Sequence, residues 1–309
     1  MTAVNVAVDG GQSQIRLTTG SGEVVTVTGV GRLEGDVDAL LVTRVVEGWT
    51  RLAGPQDRVG RVVLGLTTLP VASDARESIA AAVGAALNAD EVWVTGDAVT
   101  AHAGALPERD GVVLTVGTGV ACLGIDLETA RSLRVDGAGF LLGDGGGAFW
   151  MGSRGVDAVL RSRDGRGPTT SLAAACDERF GVHDDLAAHL HSIERAINAI
   201  AQFAIDVQAH AAGGDEVASA IVSAAAAELA STARAAAGAV SRPVVPIALS
   251  GRAVAEGTPL RAALAALIAE AHDVSLVDAV GDPLSGALLL ATGVSSYPYD
   301  RLMTKWSAR

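Results

Sequence analysis

Six glycines lie within the eleven residues 137–147, and one aspartate, Asp144, stands among the last four of them. Glycine loses more backbone entropy on folding than any other residue, so such a run is costly unless the backbone must turn sharply or lie against a ligand. Two shorter glycine segments precede it, at residues 9–13 and 116–119. Three loops of this kind, two of them with an aspartate, predict a nucleotide cleft that more than one segment of the chain closes.

Strand-like patterns surround the two shorter loops. Alternating apolar residues at 4–9 lead into a pair of glycines and resume at 14–19, and the same strand–glycine turn–strand pattern restarts at residue 112. A repeated unit of this kind predicts an internal duplication. The first hundred residues are typical of the order β-β-β-α-β-α-β-α, with apolar residues at helical spacing over 37–53.

The chain after the long glycine run is mostly helical in pattern. The sequence predicts helices at 147–163, 169–180, 184–211 and 214–239, strands at 244–249 and 274–277, and helices that end near residues 272 and 292. The overall prediction is an α/β protein of two lobes, residues 1–105 and residues 106–289 with helical insertions. The tail, residues 290–309, can pack back on the first lobe.

Composition excludes several classes of protein. The formal net charge of −12 argues against a nucleic-acid surface, which needs clustered Lys and Arg. No apolar run reaches the ~20 residues of a membrane helix, and the N-terminus shows no basic region or cleavage site of a secretory signal. Two cysteines provide no disulfide framework. We therefore expect a cytoplasmic protein that binds neither nucleic acid nor membrane.

The glycine loops favour phosphate binding by backbone amides. Amides in such loops donate hydrogen bonds to phosphate oxygens without side-chain bulk. Only one lysine occurs, Lys305, and no Walker A motif is present, which disfavours a P-loop kinase.

Five short segments of the chain carry a resemblance to a known family: Val8–Ser13, Thr95–Ala98, Val116–Gly119, Gly143–Gly146 and Leu249–Gly251. Together they resemble the N-acetylglucosamine kinase and BadF/BadG ATPase group of the actin/Hsp70/hexokinase superfamily. They correspond in order to that group's first phosphate loop, its Asp-Ala segment, its second phosphate loop, its GDEGS segment and its adenosine-binding turn.

The resemblance implies two ribonuclease-H-like lobes with a central interlobe cleft, and ATP-dependent transfer of the γ-phosphoryl group to the 6-hydroxyl of an amino sugar such as N-acetylglucosamine or glucosamine. It makes Asp97 the catalytic base, and Asp9 is expected to hold Mg²⁺ through water, since this ion keeps most of its hydration shell. The other implied contacts are Gly10, Gly11, Gln12, Ser13, Gly117, Thr118 and Gly119 with the ATP phosphates, Ser250, Gly251 and Arg252 with adenosine, and Thr67, Thr68, Asp97, Thr118 and Asp144 with the sugar.

Three departures from the family pattern leave the sugar open. The family's asparagine, tryptophan and glutamate around the sugar fall at Ala121, Ala138 and Gly145. One alternative is therefore a catalytically weak sugar-sensing protein of the same fold. Another is a BadF-like ATPase that activates a dehydratase through an iron–sulfur cluster held by cysteines. The alanine-rich helices at 192–239 also offer a face for a homodimer.

Simpler structural roles compete for the acidic residues. Asp97 can cap the helix that follows it, and Asp144 can be a turn or cap residue. Asp9 and the two glycines after it can form an ordinary hairpin turn.

Overall fold

The computed structural model describes residues 3–31, 36–52, 58–293 and 297–308. By its internal contacts the chain divides into two compact units. The first unit contains Met1–Asp110, Asp126–Arg131 and Asp278–Arg309, and the second contains Gly111–Ile125 and Ser132–Val277. Residue 53, the last of a predicted helix, and residues 294–296 and 309 of the predicted tail lie outside the described residues.

The first unit is a six-stranded sheet with helices packed on it. Its strands lie in the order β11-β5-β4-β1-β2-β3, where β1, β4 and β5 are parallel and β2, β3 and β11 are antiparallel to their neighbours. Its elements are β1 (Val4–Gly10), β2 (Gln14–Thr18), β3 (Val25–Thr28), α1 (Val37–Leu52), β4 (Val59–Leu66), α2 (Ser73–Leu87), β5 (Ala89–Gly96), α3 (Asp97–Ala105), α10 (Pro283–Thr292) and β11 (Met303–Ser307).

The register of the parallel strands aligns the ends from which site residues emerge. Gly10 of β1 pairs with Leu66 of β4, which pairs with Gly96 of β5. Valine and leucine side chains from these strands lie in one buried core. Because all three parallel strands end at the same edge, the residues that follow them are brought together there.

The second unit is a five-stranded sheet with a larger helical layer. The strand order is β10-β9-β6-β7-β8, with β6, β9 and β10 parallel and β7 antiparallel to β6. Its elements are β6 (Gly111–Val116), β7 (Val120–Asp126), β8 (Arg131–Val135), α4 (Ala148–Asp164), α5 (Leu172–Phe180), α6 (Leu186–Ser192), α7 (Ala196–Ala212), α8 (Glu216–Ala237), β9 (Val245–Ser250), α9 (Pro259–Ala269) and β10 (Val274–Val277).

Five strands of each sheet share one topology. In both units an antiparallel meander of three strands is followed by two strands parallel to the first, so β1-β2-β3-β4-β5 corresponds to β6-β7-β8-β9-β10. The predicted duplication and the predicted pair of ribonuclease-H-like α/β lobes are confirmed.

The structure corrects the predicted helix over 184–211. The chain forms two helices, α6 and α7, because the backbone is extended at Ile193. In this conformation the Ile193 side chain packs against the core of the second unit, and a continuous helix is interrupted. No glycine or proline marks this break in the sequence.

Two further differences concern the C-terminal part of the chain. Strand β11, which was not predicted from the sequence, adds an antiparallel edge to β5. Helix α10 packs on α3 and β1 of the first unit, whereas the predicted boundary placed most of this helix in the second lobe. Within the described residues, no helix is both long and apolar enough to span a bilayer.

Candidate active site

Asp97 is held by a side-chain hydrogen bond at the carboxyl edge of the first sheet. It is the first residue of α3, directly after β5, and its carboxylate is half-buried. The Thr67 hydroxyl, just beyond β4, donates to Asp97 Oδ2 at 2.7 Å. The helix cap is Gly96, and no side chain caps it. The capping alternative for Asp97 is therefore not what the structure shows.

Asp9 lies near the same edge and is bound by an arginine. Arg16 faces it directly across the β1–β2 ladder, and its Nε and Nη2 donate to Asp9 Oδ2 at 3.1 and 2.6 Å. The third contact of this guanidinium is Nη1 to Asp282 Oδ2 at 2.7 Å. Burial raises the pKa of Asp9 above its usual range, although Arg16 opposes the effect.

The glycine tip after Asp9 is a tight turn. The Gly11 amide donates to the Gln14 carbonyl at 2.9 Å, which closes the loop between β1 and β2. A Cβ at Gly10 would lie 2.7 Å from Leu66 Cδ2, so this glycine permits close packing of neighbouring strand ends. The Thr67 amide donates to the Gly10 carbonyl at 2.9 Å. The turn and the Asp97–Thr67 pair are thus joined through backbone.

The surroundings of Asp9 fit a hydrated magnesium ion. Within the described residues, both hydrogen bonds to Asp9 use Oδ2, and the nearby carboxylates of Asp97 and Asp282 raise its pKa further. Three carboxylates against one guanidinium leave an excess of negative charge that a divalent cation offsets. No set of three or more His, Cys, Asp or Glu side chains arranged for a metal occurs in the described ranges.

The second phosphate-loop candidate lies in the second unit and is attached to the start of α4. The Ala148 amide donates to the Gly117 carbonyl and the Phe149 amide to the Thr118 carbonyl, both at 2.9 Å. The Gly117 amide donates to the Gly119 carbonyl at 2.9 Å, so the loop is a closed turn between β6 and β7. A Cβ at Gly117 would meet no atom within 4 Å, which leaves open space beside this backbone.

Asp144 lies against the same loop. A Cβ at Gly119 would lie 2.3 Å from Asp144 Oδ2, so only glycine permits this approach. Asp144 has a positive φ of 61°, and its amide donates to Asp136 Oδ1 at 2.8 Å. The Gly145 amide donates to Asp136 Oδ2 at 3.2 Å. Asp136 therefore fixes the glycine run, and the Asp144 side chain is directed to the phosphate-loop candidate.

The predicted adenosine turn adjoins the same loop. Strands β6 and β9 are parallel neighbours in register, with Thr115 opposite Ser250. Gly251 has a φ of 101°, and a Cβ there would lie 2.3 Å from the Val116 carbonyl oxygen. Arg252, next along the turn, is exposed. The turn 250–252 and the loop 117–119 therefore occupy adjacent positions at one sheet edge.

A cavity of about 510 Å³ opens beside Asp144. Carboxylates and aromatic rings share its lining, which includes Asp136, Asp144, Glu228, Phe140, Phe149 and Trp150. The rings of Phe140 and Phe149 meet edge to face at 5.2 Å, and Arg154 stacks over Trp150 at 3.9 Å. A cavity of this volume accommodates a monosaccharide, and mixed aromatic and carboxylate walls suit its apolar faces and hydroxyls.

The family follows from comparison of the whole chain with known proteins. Residues 8–291 match the BadF/BadG/BcrA/BcrD ATPase family. The chain belongs to this family. The resemblance drawn from the five sequence segments is thereby confirmed.

Relatives of this BadF/BadG-type chain carry kinase names. Over 141 residues it is 32% identical to the N-acetylmuramic acid/N-acetylglucosamine kinase of Clostridium acetobutylicum, and the alignment covers 45% of this chain and 46% of that kinase. The matched stretch thus spans about half the length of this curated relative.

Two solved structures share the fold. A protein of Chromobacterium violaceum provisionally named an N-acetylglucosamine kinase matches with a TM-score of 0.70 at 22% identity, over 94% of this chain and 100% of that chain. A similarly named protein of Porphyromonas gingivalis matches with a TM-score of 0.70 at 16% identity, over 92% and 97%. At these identities the likeness establishes the two-lobed fold alone.

The structure shows what surrounds the three positions at which the sequence departs from the family pattern. Ala121 is buried on β7, and Ala138 is exposed. At Gly145 an added Cβ would lie 3.2 Å from Glu228 Oε2 of α8, so the glycine leaves room for that carboxylate.

The cysteines of this family member lie away from any cluster-binding arrangement. Cys122 and Cys176 are fully buried in the hydrophobic core of the second unit. Burial raises the pKa of Cys122 to about 12 and that of Cys176 to about 11. Thiolates that bind a cluster shared between subunits must reach the surface, so the positions of both cysteines argue against the iron–sulfur activator alternative.

Four residues near the predicted sites were missed from sequence. The residues Arg16, Asp282 and Glu228 reach these sites through strand pairing or helix packing. Asp136 reaches them because the glycine run that follows it folds back on its carboxylate. For Arg16, the available sequence signal was the alternation along β2, which places it on the opposite sheet face from Ile15 and Leu17. Nothing local distinguishes Glu228 among the residues of an alanine-rich helix.

Proposed function

We propose that this protein is an ATP-dependent kinase that transfers the γ-phosphoryl group to the 6-hydroxyl of an amino sugar, with N-acetylglucosamine and glucosamine as the leading candidates. The observation that carries the proposal is the Asp97 carboxylate held by Thr67 at the aligned ends of three parallel strands. Membership of an ATPase family and the kinase names of its relatives support it.

Asp97 and Asp9 have different roles in this proposal. Asp97 accepts a hydrogen bond from the neutral hydroxyl of Thr67, so its carboxylate stays available to take the proton of an incoming alcohol. Asp9, bound by Arg16, holds Mg²⁺ through water. When bound, Mg²⁺ neutralises charge on the triphosphate.

The glycine loops and the turn after β9 contribute the nucleotide contacts in this proposal. Amides of the loop 117–119 and of the turn after Asp9 bind phosphate oxygens, with Gln12, Ser13 and Thr118 as side-chain donors. Residues 250–252 hold adenosine beside that loop, as their register supports.

In the first unit, we assign Thr67, Thr68 and Asp97 to the sugar. Thr67 and Thr68 follow β4 beside Asp97. Asp144 lines the aromatic and acidic cavity with Glu228, and we assign this cavity to hydroxyls of the sugar. Glu228 supplies a carboxylate beside Gly145.

The test is a substrate panel. The purified protein is incubated with Mg-ATP and with glucosamine, N-acetylglucosamine, N-acetylmuramic acid or glucose, and ADP release is followed by a coupled assay. We expect one amino sugar to raise ADP release with kcat/KM of at least about 10⁴ M⁻¹s⁻¹, the lower end for enzymes. A rate of ADP release that no sugar raises above the sugar-free rate overturns the proposal.

A further inference from the structure

We infer that Arg16 is a positioning residue that locks Asp9 to the first turn of α10 and so aligns the two carboxylates of the first unit. That Asp9 and Asp97 act on a metal–nucleotide and on an alcohol rests on the proposed function. The link itself rests on contacts of the first unit alone.

The guanidinium of Arg16 spans two elements that are distant in sequence. Two of its nitrogens converge on Asp9 Oδ2, at 3.1 and 2.6 Å, and the third reaches Asp282 Oδ2 at 2.7 Å. The planar guanidinium presents donors in fixed directions, whereas an ammonium is a compact point charge. Lysine can keep the charge here but cannot reproduce the three-point contact.

Asp282 is itself fixed, because it caps a helix. Its Oδ1 accepts from the Ser285 amide at 2.9 Å at the start of α10. Although partial burial acts in the opposite direction, the Ser285 amide and Arg16 lower the pKa of Asp282 below its usual range. Arg16 therefore contacts the rigid first turn of a helix rather than a free surface carboxylate.

Helix α10 continues the link to α3, which begins at Asp97. The two helices pack backbone to backbone: a Cβ at Gly286 would lie 1.9 Å from the Thr100 carbonyl oxygen, and one at Gly104 would lie 2.2 Å from the Asp282 carbonyl oxygen. Contact this close leaves no room for one helix to shift alone. A continuous path thus joins Asp9, Arg16, the first turn of α10, and α3.

The path explains how like charges remain together at one edge. Asp97 and Asp282 each repel the Asp9 carboxylate, and Arg16 binds both Asp9 and Asp282. Without the guanidinium, the Asp9 carboxylate loses its fixed orientation and α10 loses its bond to β2.

Nucleotide binding tests the inference without any sugar. Affinity for ATP is measured by titration calorimetry with and without Mg²⁺ for wild type, Arg16→Met, Arg16→Lys and the control Arg58→Met. Arg58 forms an exposed ion pair with Asp90 in the same unit. We expect Arg16→Met to reduce the affinity gained from Mg²⁺ by about tenfold, or ~1.4 kcal/mol, with partial recovery in Arg16→Lys and no change in the control.

Steady-state kinetics with the preferred sugar provides a second readout. In Arg16→Met we expect KM for Mg-ATP to rise while KM for the sugar stays within about twofold of the wild-type value.

Amide hydrogen exchange of the ligand-free protein tests the mechanical link. Arg16→Met should speed exchange in residues 10–13 and in residues 283–287 together, and Arg58→Met should change neither. If Arg16→Met does not fold, Asp282→Asn replaces it, because asparagine still caps a helix but cannot pair with the guanidinium. Unchanged exchange in both segments, or an unchanged Mg²⁺ effect on ATP affinity, overturns the inference. Absence of sugar phosphorylation by wild type counts against the proposed kinase and leaves these two readouts intact.

Discussion

At the scale of single residues, the site separates two carboxylates by what binds them. Asp9 is bound by a guanidinium, whereas Asp97 accepts from the neutral hydroxyl of Thr67. A hydrogen bond to a carboxylate is stronger than one between neutral groups, so the Thr67 hydroxyl restricts the Asp97 rotamer. This donor is itself uncharged, unlike the guanidinium that binds Asp9. This division suits one carboxylate for a cation and the other for a proton.

Thr67 provides the residue-scale prediction. Thr67→Val removes the hydroxyl and retains a branched side chain, so Asp97 loses a donor and its fixed orientation. We expect kcat to fall about tenfold, the equivalent of ~1.4 kcal/mol, with recovery in Thr67→Ser. Thr43→Val, which removes an exposed helix hydroxyl, is the matched control. Wild-type kcat in Thr67→Val would contradict the assigned contact.

Site residues that directly follow a strand were predictable from the sequence. Residues that reach the site from a distant part of the chain were not. Asp97, Thr67 and the glycine tips stand at strand ends, where parallel strands bring successive loops together. The Arg16–Asp282 pair joins residues 266 positions apart, and only strand register and helix packing bring them into contact. Glu228 likewise meets Gly145 because α8 crosses the glycine run.

At the scale of elements, the two glycines of the loop 117–119 have different surroundings. Gly119 faces the Asp144 carboxylate, while Gly117 faces open space. Packing therefore requires a glycine only at position 119, and in the proposed function Gly117 leaves the backbone accessible to a phosphate.

This contrast predicts opposite outcomes for two alanine variants. Gly119→Ala should lower the free energy of unfolding by about 1–3 kcal/mol, because its Cβ displaces Asp144. Gly117→Ala should leave unfolding unchanged and weaken ATP binding, since its methyl group enters the proposed phosphate space. Urea unfolding and ATP titration of both variants separate these effects. ATP affinity unchanged in Gly117→Ala argues against phosphate binding at this loop.

Helix α8 provides a test of element stability. Asp215 caps it by accepting from the Ala218 amide and also accepts from the Ser171 amide and hydroxyl. Although burial acts the other way, these donors lower the pKa of Asp215 to about 2. A carboxyl whose pKa falls on folding stabilises the protein above its unfolded pKa, and this contribution is lost as the pH falls from about 4 towards 2.

We therefore expect Asp215→Ala to lower the free energy of unfolding at pH 7 by about 1–2 kcal/mol, the usual value of a cap. The difference from wild type should shrink below about pH 4, where the Asp215 carboxylate of the unfolded chain begins to protonate while that of the native protein stays ionised. Asp215→Asn is the control, because asparagine retains the cap but does not titrate. Urea unfolding at pH 7 and pH 3 measures the difference, and a difference independent of pH would contradict the assigned pKa.

Element prediction succeeded where periodicity and turn residues agree. The strand–glycine turn–strand units and most helices follow the sequence patterns closely. The break between α6 and α7 depends on burial of Ile193, and β11 depends on an available sheet edge beside β5. Both are tertiary effects that local pattern does not contain.

At the scale of the whole molecule, one topology occurs twice, and the two copies carry different chemical groups. The first unit provides carboxylates at its sheet edge, and the second provides a glycine loop, an adjoining turn and an aromatic cavity. The duplication and the family were predictable from the order of the glycine loops. The sugar was not, because the lining of its proposed cavity comes from separate helices.

The most direct test of the account is γ-phosphoryl transfer to the preferred sugar by Asp97→Asn, followed by ³¹P NMR at saturating Mg-ATP. We expect kcat to fall by about 10²–10⁴-fold, the usual contribution of a general base, with ATP affinity within about threefold of wild type. Asp74→Asn, an exposed aspartate on α2, should transfer phosphate at the wild-type rate. Transfer by Asp97→Asn within about threefold of the wild-type rate would contradict the central claim that this carboxylate accepts the sugar proton.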